Sequence, residues 1–303
     1  MPHIRAFGLH VPNRIVDNAE LAPMVGVDPA WLLQVTGIEQ RRYAAPEDTV
    51  ASLGAAAARD CLAKAGVETS AIGMILVASG SSARRFPGPA TSIGALLGIP
   101  GVPAIDLPMA SAGSLFGMAL ASQLSEVYGN VLVIGAEIMS RVVRTDPTGR
   151  DTAILFGDGA GACLVSRDTG VLRIADSLLA SDGDLADILR LQFDSPLYMD
   201  GRSVILQASR KIPRAISELL ERNSIQPAEV GTFVVHQANL NLITRVAAAI
   251  GVEEARFVRN VSRYGNTSSA SMLIAAAEAE RLDSPVVFAA FGAGLNWGAV
   301  LAL

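Results

Sequence analysis

Residues 103–120 read PAIDLPMASAGSLFGMAL, in which a short apolar run gives way to five small residues and then to a helical pattern. Ala104, Ile105 and Leu107 predict a buried strand, and the apolar residues beyond Ser111 recur at helical spacing. Ser111 is therefore predicted to lie where a strand ends and a helix begins.

Such a junction can activate a nucleophile. The first amides of a helix lack internal partners and carry the positive end of its dipole, so they favour an anion on Ser111 or on a bound carbonyl. A purely structural explanation is that the small residues ASAGS let a buried helix approach a strand closely. The stretch alone does not separate the two explanations.

Composition indicates a large buried core. The chain has 303 residues, 50% of them hydrophobic and 17% charged, with a mean hydropathy of +0.39. That length suits two domains. The apolar runs are shorter than the roughly 18 residues of a membrane span, and the N-terminus MPHIRAFGLHVPNR lacks a long apolar signal core. We therefore expect a cytoplasmic protein without a membrane partner.

Charge and cysteine content exclude several other classes. A net charge of -5 without a long basic run argues against nucleic-acid binding. Cys61 and Cys163 lie in apolar settings without CxxC spacing or histidine neighbours, which predicts packing residues rather than a disulfide or a metal site. We expect neither a metal nor a cofactor.

Strands alternate with helices, which predicts an α/β fold, and the second half of the chain repeats the first. CLAKAGVETSAIGMILVAS overlays LLERNSIQPAEVGTFVVHQ, so that Val77 matches Val235, and the same offset of 158 positions carries Ser111 to Ser269. We divide the chain into residues 1–168, which hold Ser111, and residues 169–303.

Local signals place several elements. Asn18 and Asp28 are predicted to cap two short helices, a helix over residues 49–65 is predicted to end at Gly66, and residues 74–78 form an apolar strand.

Five passages together carry a family resemblance. They are MASAGS, FGDGAGA, VVHQANL, RYGNTSSAS and FGAGLNWG, in that order along nearly the whole chain. Together they resemble the β-ketoacyl-acyl-carrier-protein synthase III group of the thiolase superfamily. The resemblance implies a thiolase-like five-layered α-β-α-β-α fold of two similar halves, usually assembled as a homodimer. FGDGAGA lacks the lysine of a phosphate-binding P-loop, so we expect it to pack beneath the site.

The resemblance also implies the chemistry. In that group a cysteine takes an acyl group from acyl-CoA, and a histidine and an asparagine help a malonyl carrier to lose CO2 and attack the acyl group. His236 and Asn266 match that pair, whereas Ser111 stands at the cysteine position. A serine hydroxyl needs a base, and His236 is the candidate that the motifs supply. The resemblance places the oxyanion hole at the amides of Ser111 and Ala293.

Further positions concern the acyl donor. Trp31 and Arg150 match residues that hold CoA in the family, and Asn239 of the HQAN motif is expected to contact substrate. Phe86 matches a residue that closes the acyl pocket of the partner subunit. No cofactor is implied, because acyl-CoA is a substrate, and an acyl carrier protein is the expected macromolecular partner.

Two positions depart from the family in a way that concerns the donor. Val35 and Asn241 stand where typical members carry arginines for CoA or carrier contact, which leaves the identity of the donor open.

The leading hypothesis is an acyltransferase that passes an acyl group from Ser111 to a malonyl carrier by decarboxylative condensation. Three alternatives remain open: formation of an ester or amide without condensation, a non-catalytic subunit that pairs with an active homologue, and a form in which serine was engineered in place of cysteine.

Overall fold

The computed structural model describes residues 1–192 and 194–303. Strands and helices alternate through both halves. The strands are β1 (His3–His10), β2 (Arg14–Asp17), β3 (Gln40–Tyr43), β4 (Met74–Ala78), β5 (Ala104–Leu107), β6 (Asn130–Ile138), β7 (Asp158–Ser166), β8 (Leu172–Ser181), β9 (Leu189–Arg190), β10 (Tyr198–Met199), β11 (Thr232–Val235), β12 (Val286–Gly292) and β13 (Asn296–Ala302). The helices are α1 (Asn18–Met24), α2 (Pro29–Thr36), α3 (Val50–Ala65), α4 (Pro89–Leu96), α5 (Gly113–Tyr128), α6 (Arg150–Ala153), α7 (Gly201–Arg222), α8 (Leu240–Ile250), α9 (Val261–Tyr264) and α10 (Ser271–Glu278).

Two sheets join edge to edge. The first has the order β5-β4-β6-β7-β1, and the second has the order β8-β13-β12-β11. Two residue pairs between β1 and β8 connect them, so all nine strands are linked in one continuous order.

Helices fill the space between the sheets and cover both outer faces. One apolar cluster joins α5 and α10 to the facing sides of both sheets. A second cluster packs α3 and α4 on the outer face of the first sheet, and a third packs α7 and α8 on the outer face of the second. This arrangement confirms the predicted five-layered α-β-α-β-α fold.

The repeat found in the sequence corresponds to matching elements. The parallel strand β4 of the first sheet has β11 as its counterpart in the second, and each is followed along the chain by a helix and a further extended segment. Phe257 forms a parallel bridge to Phe233 on β11, as β5 does more extensively to β4. The division at residue 168 stays a prediction.

Local signals predicted the bounds of several elements well. Thr49 caps α3 through a reciprocal pair of bonds with Ser52, and Gly66 ends that helix with a left-handed φ of 62°. Asp28 caps α2 by accepting hydrogen bonds from two backbone amides, as predicted.

Two local predictions were wrong. Asp17 rather than Asn18 caps α1, because the Asn18 side chain is buried and is used by Ile38 O and the Arg41 guanidinium. The strand β5 is not fully buried. It pairs only with β4 at the end of the first sheet, and Ile105 is 45% exposed.

A pair of glycines lets the central layer lie close to the first sheet. Gly135 on β6 and Gly161 on β7 face each other in the ladder. A Cβ at Gly135 would lie 2.3 Å from Ser269 O, and one at Gly161 would lie 2.8 Å from Ile274 N. No side chain fits at either position, so the short 3-10 turn Ser268–Ala270 and the start of α10 rest directly on the strands.

Candidate active site

The structure places Ser111 in a tight turn between β5 and α5. Its φ is 65°, in the left-handed region that a non-glycine residue rarely occupies, and its side chain is buried. The Ala112 amide donates to Ala110 O at 2.8 Å across this turn. Backbone strain of this kind persists where surrounding contacts impose it, and it is found preferentially at functional sites.

Gly292 at the end of β12 contacts the same turn. A Cβ there would lie 2.0 Å from Ala110 O and 3.0 Å from the Cβ of Ser111, so only glycine fits. The next residue is Ala293, a predicted oxyanion-hole donor. Its carbonyl accepts a hydrogen bond from Asn296 Nδ2 at 2.5 Å, which fixes the peptide plane that follows Ala293.

His236 follows the last residue of β11 and is buried. Its Nδ1 lies 2.6 Å from Ser271 Oγ, and that oxygen also accepts the Gln237 amide at 3.1 Å. Burial lowers the pKa of His236 from 6.5 to about 4, so the imidazole is neutral at pH 7.

The same contacts indicate the tautomer of His236. The Ser271 oxygen already accepts one hydrogen bond from a backbone amide, and among the described residues its own hydrogen has only His236 Nδ1 as an acceptor. The proton of the imidazole is then on Nε2. In this state the Nε2–H group of His236 is available to donate a hydrogen bond. To act as a base, His236 must carry its proton on Nδ1, with the Ser271 hydroxyl rotated so that its oxygen accepts the hydrogen bond from Nδ1.

Asn266 is buried beside the bend that leads into α10. Its amide donates to Leu155 O, and its carbonyl accepts from the Gly157 amide, so the backbone on both sides is fixed. Its Oδ1 accepts the Ser268 amide at 2.9 Å. The oxygen of the side chain is therefore occupied, and Nδ2 is the atom that remains to donate to a ligand.

One short segment connects these three residues. The Ser111 amide donates to Ser268 Oγ at 3.0 Å, Asn266 Oδ1 accepts from the Ser268 amide, and Ser271 holds His236. Residues 266–271 thus contact both the turn that contains Ser111 and the His236 ring. Sequence reasoning identified Asn266 but missed Ser268 and Ser271. The recurrence of hydroxyl side chains in NTSSAS was the available signal.

One of the two predicted oxyanion-hole donors, the Ser111 amide, already donates a hydrogen bond in this structure. An oxyanion would have to share the Ser111 amide with Ser268 Oγ or displace that hydroxyl. The oxyanion role of Ser111 and Ala293 stays a prediction.

Two predicted donor contacts line one cavity of about 400 Å³. Trp31 on α2 is 39% exposed there, and Asn239 is buried. Asn239 Oδ1 caps α8 by accepting the Leu242 amide at 2.8 Å, so a ligand would meet Nδ2. Asn241 donates to Val35 O at 2.9 Å across the same wall, and Arg245 is the one charged side chain of the lining among the described residues.

Arg150 and Phe86 lie apart from that lining. Arg150 begins α6, is about half exposed and forms an ion pair with Asp151 over 3.1 Å. Phe86 is 85% exposed in a loop between β4 and α4. An aromatic side chain this exposed has no packing role within its own subunit.

Comparison with known proteins decides the family. Residues 105–183 match the family described as 3-oxoacyl-[acyl-carrier-protein (ACP)] synthase III, and residues 220–302 match its C-terminal part. A β-ketoacyl-[acyl-carrier-protein] synthase III of Oleidesulfovibrio alaskensis is 36% identical, over 99% of this chain and 98% of that protein. The chain belongs to the 3-oxoacyl-ACP synthase III family.

Other relatives agree over the full length of this synthase III chain. A β-ketoacyl-[acyl-carrier-protein] synthase III of Vibrio vulnificus is 36% identical over 97% of this chain and 96% of that protein. The crystal structure of 3-oxoacyl-[acyl-carrier-protein] synthase III from Aquifex aeolicus superposes with a TM-score of 0.95 at 32% identity, covering 100% of this chain and 99% of that one. Membership in the synthase III family therefore applies to both halves and to the turn that contains Ser111.

The described residues contain neither a membrane-spanning helix nor a metal-binding cluster. None of their helices is both long and apolar enough to cross a bilayer. Within the same residues, histidine, cysteine and carboxylate side chains do not gather into a set that could hold a metal ion.

Proposed function

We propose that this chain takes an acyl group from acyl-CoA or an acyl carrier protein onto Ser111 and passes it to a malonyl carrier with loss of CO2. The observation that supports it best is the shared segment 266–271, which bonds to the Ser111 amide and to the His236 ring. The names of the relatives describe this class of condensation for those proteins.

The first half-reaction is acylation. The Ser111 oxygen attacks the thioester carbonyl, a C–O bond forms, the C–S bond breaks, and the hydroxyl proton goes to the leaving thiolate. His236 carries that proton after the Ser271 hydroxyl rotates, because in the resting tautomer Nε2 is already protonated. The first amides of α5 favour the developing negative charge.

The second half-reaction is decarboxylative attack. The malonyl group loses CO2 and its electrons pass to an enolate, whose oxygen accepts hydrogen bonds from His236 Nε2 and Asn266 Nδ2. The enolate carbon bonds to the acyl carbon, and the C–O bond to Ser111 breaks as that oxygen takes up a proton from solvent. Both nitrogens are donors in the resting structure, so His236 must return to its resting tautomer, with the proton on Nε2, before this step.

The serine itself favours a second candidate. An acyl-serine oxyester is a poorer electrophile toward a carbon nucleophile than the corresponding thioester. Transfer of the acyl group to an alcohol, an amine or water requires a less electrophilic acyl carbon than condensation does. The same residues would then form an ester or an amide without loss of CO2.

Intact-protein mass after incubation with a panel of acyl-CoA and acyl-carrier donors tests the proposal. Wild type should gain the mass of one acyl group and Ser111→Ala should gain none. Adding malonyl-ACP to the acylated protein should release CO2 and a 3-oxoacyl product. An acylated protein that reacts only with alcohols or amines would favour the second candidate, and no acylation by any donor would overturn both.

We propose a homodimer and a donor site as parts of the same function. The free edge of β5 and the exposed Phe86 support pairing with a second copy, since an unpaired apolar strand edge is a site of association. The cavity beside Trp31 and Asn239 supports a site for the donor. Light scattering of wild type and Ile105→Lys tests the first, because a lysine on the strand edge should yield a monomer.

A further inference from the structure

Glu137 is a buried carboxylate that the proposed chemistry does not use. It lies near the end of β6 and is 0% exposed. One oxygen accepts hydrogen bonds from the Ser81 amide and hydroxyl at 2.9 and 2.5 Å. The Gly80 amide lies 3.0 Å from both carboxylate oxygens. These donors lie near the start of the loop between β4 and α4, which also contains Phe86.

The other oxygen of Glu137 holds the active-site segment. Ser269 donates its hydroxyl to Oε1 at 2.8 Å, and the Ser269 amide lies 3.3 Å from the same atom. The Ser269 hydroxyl also lies 2.9 Å from Ala78 O at the end of β4. The hydroxyl has one hydrogen, which these two acceptors on β6 and β4 share, and the amide provides a second contact with β6.

The neighbours of Ser269 make the two contacts that matter for the proposed site. Ser268 accepts the Ser111 amide, and Ser271 bonds to His236 Nδ1. The three serines thus point from one turn of backbone to three different elements. Ser269 is the anchor, because its contacts are with the strands and not with a group in the site.

Every donor that the described residues give to Glu137 is a neutral amide or hydroxyl. A buried carboxylate without a cation needs several such donors at fixed positions, and it holds those donors in return. Loss of the negative charge on Glu137 would weaken all of these hydrogen bonds together. Since Gly135 leaves no side chain beneath the turn, the backbone of residues 269–270 lies close against β6, within reach of the Glu137 carboxylate.

We infer that Glu137 is a positioning residue that, through Ser269, holds residues 268–271 where Ser268 supports the nucleophile turn and Ser271 orients His236. The catalytic roles of Ser111 and His236 in this inference rest on the proposed function. The position of the turn can be measured without any acyl donor, so a failure of the positioning role can be distinguished from a failure of the proposed function.

The experiment uses Ser111→Cys as the parent protein and follows alkylation of the new thiol by iodoacetamide from pH 5 to 9.5. Glu137→Gln, Ser269→Ala and the double variant are added to it. Ser125→Ala is the matched control, because Ser125 is equally buried but donates only to Ser122 O within α5. Circular dichroism and thermal melts accompany each variant, and Ser269→Ala, which removes one hydroxyl, is the milder of the two changes.

We expect each single variant to slow alkylation at pH 7 by about threefold to tenfold, because a relaxed turn moves the sulfur away from the first amides of α5 and raises its pKa by up to about one unit. The double variant should be no slower than the slower single one, since both changes break the same link. The Ser125→Ala control should match the parent.

Two results would overturn the inference. Folded Glu137→Gln and Ser269→Ala proteins with the alkylation rate and pH midpoint of the control would show that the link does not position the turn. Effects that multiply in the double variant would show that the two residues act independently. Absence of acylation in the donor panel would leave this measurement unchanged and would count only against the proposed function.

Discussion

Replacing Ser111 with cysteine gives a thiol whose pKa tests the electrostatics of the candidate site. The native thiols do not interfere, because burial raises the pKa of Cys61 to about 12 and also raises that of Cys163. The new sulfur would lie two residues before α5, a helix of 16 residues. Its pKa depends on that helix and on the charge of His236.

The structure allows the magnitude to be worked out. A helix N-terminus stabilises an adjacent anion by about 0.3 to 2 kcal/mol, which lowers a thiol pKa by about 0.2 to 1.5 units from its usual value of about 8.5. His236 adds no positive charge at pH 7, because burial lowers its pKa to about 4. We therefore expect a midpoint between about 7 and 8.3.

The assay is the rate of iodoacetamide alkylation between pH 4 and 9.5, followed by intact mass, with wild type as the blank for Cys61 and Cys163. A midpoint below about 5 would refute the reasoning, because such a value requires an imidazolium paired with the thiolate. His236 would then be charged in the site, and burial alone would not describe its environment.

Four further outcomes are expected. Ser111→Cys should form 3-oxoacyl product from malonyl-ACP faster than wild type, since a thioester is the better electrophile; equal rates would show that serine suffices. Wild type should lose up to about 3 kcal/mol of unfolding free energy as the pH falls from 6.5 to 4, because in that window the unfolded state binds a proton at His236 and the folded state does not; urea melts of His236→Gln should lack this part of the loss. Ser271→Ala should lower the free energy of unfolding by about 1 to 3 kcal/mol, since the buried Gln237 amide loses its acceptor; a stability equal to that of wild type would contradict this. Arg150→Ala should weaken use of acyl-CoA by about 1.5 to 3 kcal/mol and leave a small thioester unaffected; equal losses with both donors would assign Arg150 to the fold.

Much of the fold was predictable because it follows from local signals and from the repeat. Thr49 and Gly66 mark the two ends of α3, because a threonine that caps a helix and a glycine that ends one are signals visible in the sequence. The position of Ser111 between strand and helix follows from a change of apolar period. The burial of β5 was not predictable in the same way, because an apolar strand at the end of a sheet has the pattern of a buried one.

The contacts that support the candidate site could not be predicted from the sequence. Glu137 stands within an apolar strand, and nothing local shows that its side chain meets Ser269, which lies 132 positions away. Ser268 and Ser271 look like the small residues that start a helix. Their partners come from other elements, so a three-dimensional structure is needed to see that the hydroxyl groups, and not only the small size, are used.

The backbone of Ser268 has a φ of 48°, so Ser268, and not the Ser269 that the offset of 158 positions matches to Ser111, is the second left-handed serine ahead of a central helix. A chain of two similar halves thus has two such turns, and the proposed function uses only the one at Ser111 as an acyl acceptor. The second turn supports the first through the bond from the Ser111 amide to Ser268 Oγ. Directed evolution of the proposed acceptor should therefore randomise positions 111 and 268 as a pair, because a library confined to position 111 would keep a supporting contact that fits serine.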